Sequence, residues 1–339
     1  MTHSLAWGWL LSYLPLIVLQ TLVMVFAAPW LTGLVGRVAG RLSGVSSFPV
    51  MGQWQDIGHQ FRRPRLWRTS SQLNGAACAG ALVLSVLGCG LVPAFTLVVP
   101  GFPAPGLLLT CCVLVVAQVC LNVPRVLAGG LGAVQGARGI LGALLLLPAL
   151  VPVFLLSGAR DFSDFLVSLH TLSPVTDGAP FVLAGVALFL VPALAWPAQD
   201  SMVASLAGPE RAMWLWAADC VQIAWVTLAM DTAWSGSLAL PDDGGVEQWL
   251  TQCMAGFALW GGKLLLAAVL LALLRLVVLP PLRRARIRVV SIFLLGVLAL
   301  QVTWSVHPLQ AEQDDGGMAA GQQQAVPQAA STAGTEELQ

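Results

Sequence analysis

Residues 255–279 read AGFALWGGKLLLAAVLLALLRLVVL, which is a run of 25 mostly apolar residues. It carries only two charged side chains, Lys263 and Arg275. An α-helix needs about 20 apolar residues to cross roughly 30 Å of hydrocarbon. The stretch therefore predicts a transmembrane helix that holds two charges.

The rest of the chain has the same character. Seven further apolar stretches lie at 5–28, 75–99, 107–124, 139–157, 180–197, 212–231 and 287–304. Of the 339 residues, 57% are hydrophobic and 9% are charged, with a mean hydropathy of +0.82, whereas soluble domains are about 25% charged. This composition excludes an ordinary soluble enzyme and a disordered regulator. It predicts an all-α polytopic membrane protein with about eight transmembrane helices.

Two segments differ in composition. Residues 1–308 hold all the apolar stretches and are predicted to form a transmembrane helical domain. Residues 309–339 are rich in Gln, Ala and Gly and have few large apolar side chains. Such a segment buries too little apolar surface to fold, so we predict a disordered C-terminal tail.

The positions of the basic residues predict the orientation. All but three of the 16 Lys and Arg residues fall on one side of the alternating spans: Arg37, Arg41, Arg62, Arg63, Arg65, Arg68, Arg125, Arg138, Arg211, Arg283, Arg284, Arg286 and Arg288. By the positive-inside rule this side is cytoplasmic and both termini are periplasmic. We expect a multi-pass protein of the bacterial inner membrane, with the lipid bilayer as its surroundings. The net charge is zero, so we expect no nucleic-acid partner.

Aromatic and metal-binding residue types indicate little chemistry. Tryptophans near the span ends are typical of interfacial anchors: Trp7, Trp9, Trp30, Trp196, Trp214, Trp234 and Trp304. The seven cysteines form no C-x-x-C motif and the four histidines are scattered. We therefore expect no metal site and no cofactor held by this chain alone.

Several short motifs occur in a recognisable order. They are RVAGR at 37–41, FPV at 48–50, QDIGHQFRR at 55–63, GGLGAVQG at 129–136, and the run from KLLL at 263–266 to LLR at 273–275. In this order the chain resembles, over about residues 20–300, the membrane subunit shared by respiratory complex I (subunit 1, or H) and the group 4 membrane-bound hydrogenases. That family includes formate hydrogenlyase and hydrogenase-4.

The resemblance implies a non-catalytic membrane-anchor subunit of an oxidoreductase of the NADH:quinone or membrane-bound hydrogenase type. Its partners would be peripheral hydrogenase-like or dehydrogenase-like subunits and antiporter-like membrane subunits. Iron–sulfur, flavin or nickel centres would belong to those partners, and quinone is the small molecule that the family binds. The implied quinone-cavity or arm-docking residues are Arg37, Arg41, Asp56, His59, Arg62, Arg63 and Gln135.

The chain departs from the family at its acidic positions. Val134, Gln135 and Gly136 stand where the family has Ser-Arg-Glu, and Arg211 and Arg275 stand where it has glutamate. A proton path through hydrocarbon needs titratable groups at relay distance. We therefore expect the acidic quinone and proton-path residues of the family to be largely lost here.

Three intramembrane charges remain: Asp219, Lys263 and Arg275. Asp219 is either a binding or proton site, or the structural partner of a cation on a neighbouring helix. Asp219 and Arg275 lie at similar depths from the cytoplasmic side, which predicts that they pair. Lys263 lies deeper, so we expect it at a helix–helix interface or a polar cavity, and it is the better candidate for a retained family role.

Residues 49–61 place Val50, Met51, Trp54, Ile57 and Phe61 at near-helical spacing. This predicts an amphipathic helix. Two interpretations remain open and are compatible: a helix lying on the inner leaflet beside the following arginines, or a docking segment for a soluble electron-transfer module. For the whole chain, the alternatives to an anchor subunit are a stand-alone small-molecule or ion transporter, or an assembly factor.

The predicted orientation is testable by labelling. A cysteine at Arg63, in the first basic segment, should react with a membrane-impermeant maleimide only after the inner membrane is permeabilised. Reaction in intact spheroplasts would place this segment in the periplasm and reverse the orientation.

Overall fold

A computed structural model describes residues 2–44, 49–64, 71–97, 106–156, 165–167, 169, 179–194, 206–239 and 245–277. Within these ranges the chain is almost entirely helical, as predicted. The long helices are α1 (Thr2–Leu42), α2 (Gly52–Arg62), α3 (Ser71–Leu91), α4 (Leu107–Leu127), α5 (Gly130–Leu156), α6 (Ala179–Leu194), α7 (Pro209–Ala233) and α8 (Gly245–Val277).

Five of these helices are long and apolar enough to cross a membrane: α1, α3, α4, α7 and α8. Helices also occur at the predicted stretches 139–157 and 180–197, where α5 contains the shorter apolar segment Gly132–Pro148 and α6 has 16 residues. The predicted span 287–304 and the tail 309–339 lie outside the described residues.

Helix α7 is the centre of the bundle. It contacts α1, α2, α3, α4, α6 and α8, and its side chains are buried on all sides. Small residues make this possible, because alanines let neighbouring backbones approach closely. The buried alanines of α7 include Ala212, Ala217, Ala218, Ala224 and Ala229.

The structure moves several predicted helix ends: α5 begins at Gly130 and α8 at Gly245, nine and ten residues before their predicted starts. Helix α1 continues past Pro29 to Leu42, so Arg37 and Arg41 lie in the helix and not in the segment after it. Leu31 and Val35 are buried, so this extension of α1 packs against the rest of the protein. Helix α3 ends at Leu91, short of the predicted residue 99.

The early end of α3 has a local cause. Pro93 has no N–H to continue the helix, and the chain instead forms a short parallel β-bridge between Thr96 and Ala239. Leu97 N donates to Ala239 O at 3.2 Å, and Ala239 N donates to Phe95 O at 3.0 Å. The segments that follow α3 and α7 are therefore joined to each other.

Glycines shape the α4–α5 hairpin. Gly129 and Gly130 have φ of +75° and +55° and form the turn. On α5, a Cβ at Gly136 would lie 2.9 Å from Val126 N, and a Cβ at Gly139 would overlap the Asn122 amide. The glycine-rich motif thus serves turning and close helix packing.

The hairpin offers a matched pair of variants. A Gly139→Val protein should have a free energy of unfolding lower by about 1–3 kcal/mol than a Gly142→Val protein. Both substitutions place the same side chain in α5, but a Cβ at Gly142 meets nothing within 4 Å. Thermal unfolding in detergent, followed by circular dichroism, measures the difference. Equal stabilities would contradict the α4–α5 contact.

Candidate functional site

The buried charges of the bundle are concentrated on α7. Asp219 is 5% exposed and Asp231 is 0% exposed, and Glu210 in the first turn is also buried. At about 1.5 Å rise per residue, Asp219 and Asp231 lie roughly 18 Å apart along the helix. They form two separate sites with different neighbours.

Both carboxylate oxygens of Asp219 accept hydrogen bonds from neutral donors. Thr32 Oγ1 of α1 donates to Oδ1 at 2.7 Å, and Gln53 Nε2 of α2 donates to Oδ2 at 2.9 Å. Hydrogen bonds to a carboxylate are stronger than those between neutral groups. Asp219 therefore ties α1, α2 and α7 together at one point.

Arg275 lies close enough to Asp219 for an attractive electrostatic interaction. The hydrogen bonds to Asp219 come from Thr32 and Gln53, and the pairing of Asp219 with Arg275 stays a prediction. Sequence reasoning missed these two donors because neutral polar side chains in helices give no signal of their partners.

Aromatic side chains complete the attachment of α2. Trp54 stacks on Phe26 of α1, with ring centroids 5.7 Å apart, and meets the edge of Trp216 of α7 at 5.6 Å. Trp216 in turn donates from Nε1 to Val25 O at 3.2 Å. Ile57 is buried on the same side of α2.

The predicted docking residues are mostly on the outside. His59, Arg62 and Arg63 are exposed at the C-terminal end of α2, and Asp56 is half-buried and accepts from Gln60 Nε2 at 3.3 Å. In α1, Arg41 is exposed and Arg37 is half-buried.

Gln135 does not join the α2 residues in one site. It is exposed on α5, which packs mainly on α4, whereas α2 packs on α1 and α7. The structure therefore brings together the α2 residues but places Gln135 on another part of the surface.

Lys263 and Asp231 form a buried ion pair between α8 and α7. The Nζ to Oδ1 distance is 2.7 Å, with both side chains less than a tenth exposed. Nζ also donates to Trp234 O at 2.7 Å and lies 5.1 Å from the centroid of the Trp234 ring. Carboxylate, carbonyl and aromatic face together replace the water around the ammonium group.

Sequence reasoning treated Asp219 as the one deep acid, and this was wrong. Asp231 was placed at the end of its span, but α7 continues to Ala233 and the buried residues Ser235, Ser237 and Leu238 follow. Among the residues that the structure describes, Asp231 Oδ2 is buried without a hydrogen-bond partner. A carboxylate inside a membrane predicts a nearby cation. Lys263, a cation in the next predicted span, could have been identified as its partner.

Two tryptophans of α8 make further hydrogen bonds: Trp260 lies about one turn from Lys263, and Trp249 lies about 21 Å from it along the helix. Trp260 Nε1 donates to Thr227 Oγ1 at 3.2 Å, and Trp249 Nε1 donates to Thr96 Oγ1 at 3.1 Å. In these contacts and in the ion pair, α8 supplies the donors.

Trp214 is not the interfacial anchor that was predicted. It is buried in protein, donates from Nε1 to Leu121 O at 2.8 Å, and carries the Arg125 guanidinium 5.3 Å from its ring centroid. Trp30 and Trp234, two other predicted anchors, are about half exposed.

Comparison with known proteins assigns no family. No family model matches the chain, and no curated protein is significantly similar to it. Within the described residues, no group of three or more His, Cys, Asp or Glu side chains lies together. The buried polar contacts of α7 are therefore the chemistry from which function is inferred.

The ion pair should behave as a unit. Asp231→Asn alone leaves the Lys263 ammonium buried without its counter-charge, which typically costs about 3–5 kcal/mol. The double variant Asp231→Asn/Lys263→Gln should recover most of this loss of unfolding free energy. The exposed acid on α8 provides the control, since Glu247→Gln should have little effect. Equal losses in the single and double variants would show that the pair contributes nothing specific.

Proposed function

We propose that the chain is a membrane-anchor subunit of a complex I-like or hydrogenase-like oxidoreductase complex, similar to subunit 1 of NADH dehydrogenase. In this proposal it docks a peripheral electron-transfer arm and performs no redox chemistry itself. The observation that supports it best is the two-sided character of α2.

One side of α2 packs against the bundle, and the opposite side is exposed. Gln53, Trp54 and Ile57 hold the helix against α1 and α7. Gln55, His59 and Arg62 are exposed on the opposite side. A helix docked in this way, with an exposed polar and basic surface, suits a soluble partner with an acidic face.

The arrangement of buried acids supports an anchor more than a proton channel. Glu210, Asp219 and Asp231 are separated along α7 by about 14 and 18 Å. Asp219 accepts its hydrogen bonds from the neutral side chains of Thr32 and Gln53, and Asp231 accepts one from Lys263. Neighbouring carboxylates at relay distance do not occur along the described part of α7.

The proposal carries further expectations for the surroundings of the chain. The location would be the bacterial inner membrane, with antiporter-like membrane subunits beside the bundle. Iron–sulfur, flavin or nickel centres would lie in partner subunits. The quinone site of the complex would lie near α1 and α2, where Phe26 and Trp216 supply aromatic rings.

One observation favours a second candidate, a stand-alone transporter of an ion or small molecule. The Asp231–Lys263 pair lies within the bundle, and in the described part of the chain Asp231 Oδ2 has no hydrogen-bond partner. Ionisable residues inside a membrane protein commonly mark substrate or ion pathways. In a transporter this oxygen would meet the transported species.

Co-purification distinguishes the two candidates. Solubilised in mild detergent from its native membrane, the anchor subunit should bring iron–sulfur absorbance and antiporter-like subunits with it. Arg62→Glu/Arg63→Glu should lower the yield of peripheral subunits at least tenfold without changing membrane insertion, because it reverses the exposed charge of α2. A control that adds acids to exposed positions of α8, Gln248→Glu/Thr251→Glu, should leave the yield unchanged.

The proposal fails if the chain purifies alone and catalyses uptake in liposomes. That result would favour the transporter. A complex whose peripheral subunits remain bound in the Arg62→Glu/Arg63→Glu variant would keep the anchor role but remove α2 as the docking surface.

A further inference from the structure

Helix α2 lies lengthwise along the first half of α7. Near its N-terminus, Gln53 Nε2 reaches Asp219 Oδ2 at 2.9 Å. Just after its C-terminus, Pro64 O approaches Gly208, where a Cβ would lie 2.9 Å away. Since α2 has 11 residues and these two points of α7 are the same number of residues apart, α2 runs antiparallel to α7 and extends inward to Asp219.

The ends of α2 touch the bundle through backbone. At one end Val50 O packs on Gly33, where any side chain would overlap it, and at the other Pro64 O packs on Gly208, whose φ is +64°. Neither contact interlocks side chains. The side-chain attachments of α2 are Gln53, Trp54 and Ile57.

A helix of this length is not stable alone. Isolated helices shorter than about 12–15 residues are marginal in water. The helical state of α2 therefore depends on its docking against α1 and α7. Loss of one attachment weakens the docking and, with it, the helical state. Of the eight helices named above, α2 is the shortest, so its helical state depends most on packing.

Gln53 also supplies the hydrogen bond that Asp219 Oδ2 accepts. With α2 in place Asp219 is 5% exposed, so Gln53 and not bulk water supplies the donor to Oδ2. Breaking this hydrogen bond while α2 still covers the carboxylate would leave a buried acceptor without a donor, which is costly and therefore holds α2 in place. The position of α2 and the solvation of Asp219 are thus linked through a single hydrogen bond.

The outer side of α2 is open to a partner. Met51, Gln55, His59 and Arg62 recur every three or four residues, and all are exposed. From these contacts we propose that α2 is a displaceable plug over Asp219, held by Gln53. A force on these exposed residues displaces α2 together with Gln53 and exposes the Asp219 carboxylate. The plug would act in the same way in an anchor subunit and in a transporter.

Hydrogen exchange of the full chain in detergent, read by mass spectrometry, tests the plug. In Gln53→Leu, amide exchange in 52–62 should rise about tenfold to a hundredfold, the range expected for losing a hydrogen bond to a charged group. Exchange in 209–233 should stay within about twofold of wild type, since α7 has five other helix partners.

Thr32→Val is the matched control. It removes the other hydrogen bond to the same carboxylate, but from α1, so exchange in 52–62 should stay at the wild-type level. A hydrophobic carbodiimide should modify Asp219 several-fold faster in Gln53→Leu than in Thr32→Val. If Gln53→Leu does not fold, Trp54→Leu tests the same plug, because it removes the aromatic attachment and leaves Gln53 in place.

Three results would overturn the plug. Exchange in 52–62 could remain at the wild-type level when Gln53 is replaced. It could rise equally in Thr32→Val, which would indicate general destabilisation. It could rise only together with exchange in 209–233, which would show that α2 and α7 open as one unit.

Discussion

The lack of water in hydrocarbon is the constraint on which the rest of the structure depends. Any charge or polar group inside the bundle has to find its partner in the protein. Helix α7 carries the buried acids, and its neighbours are arranged to meet them: Thr32 and Gln53 at Asp219, Lys263 at Asp231. Apolar contacts make up most of the bundle, whereas polar contacts fix where α1, α2, α4 and α8 meet α7.

The two acids are satisfied in different ways, and this separates the two ends of α7. Asp219 accepts from neutral donors on two helices, so one of them can leave without breaking an ion pair. Asp231 faces a lysine that is itself held by Trp234. The first site suits an adjustable contact and the second a fixed one.

Much of the fold follows from the sequence, because runs of apolar residues have few alternatives to helices in a membrane. Helices were found at seven of the predicted stretches, and the eighth lies outside the described residues. Helix ends were harder: buried Leu31 and Val35 extend α1 past Pro29, a packing effect invisible in composition. The burial of Asp231 was missed because it depends on the residues that follow α7. The role of Gln53 was missed because the sequence around a neutral amide does not indicate which group accepts its hydrogen bond.

The ion pair has a consequence for how the protein enters the membrane. Lys263 follows Asp231 by 32 residues, so the ribosome delivers the acid before its counter-charge exists. Lys263 lies near the middle of α8, where a single charge costs an inserting helix about 2.5–3.5 kcal/mol. If α7 and α8 leave the translocon together as a hairpin, each neutralises the other's charge before either meets lipid. The pair thereby favours co-insertion of the two helices over their release one at a time.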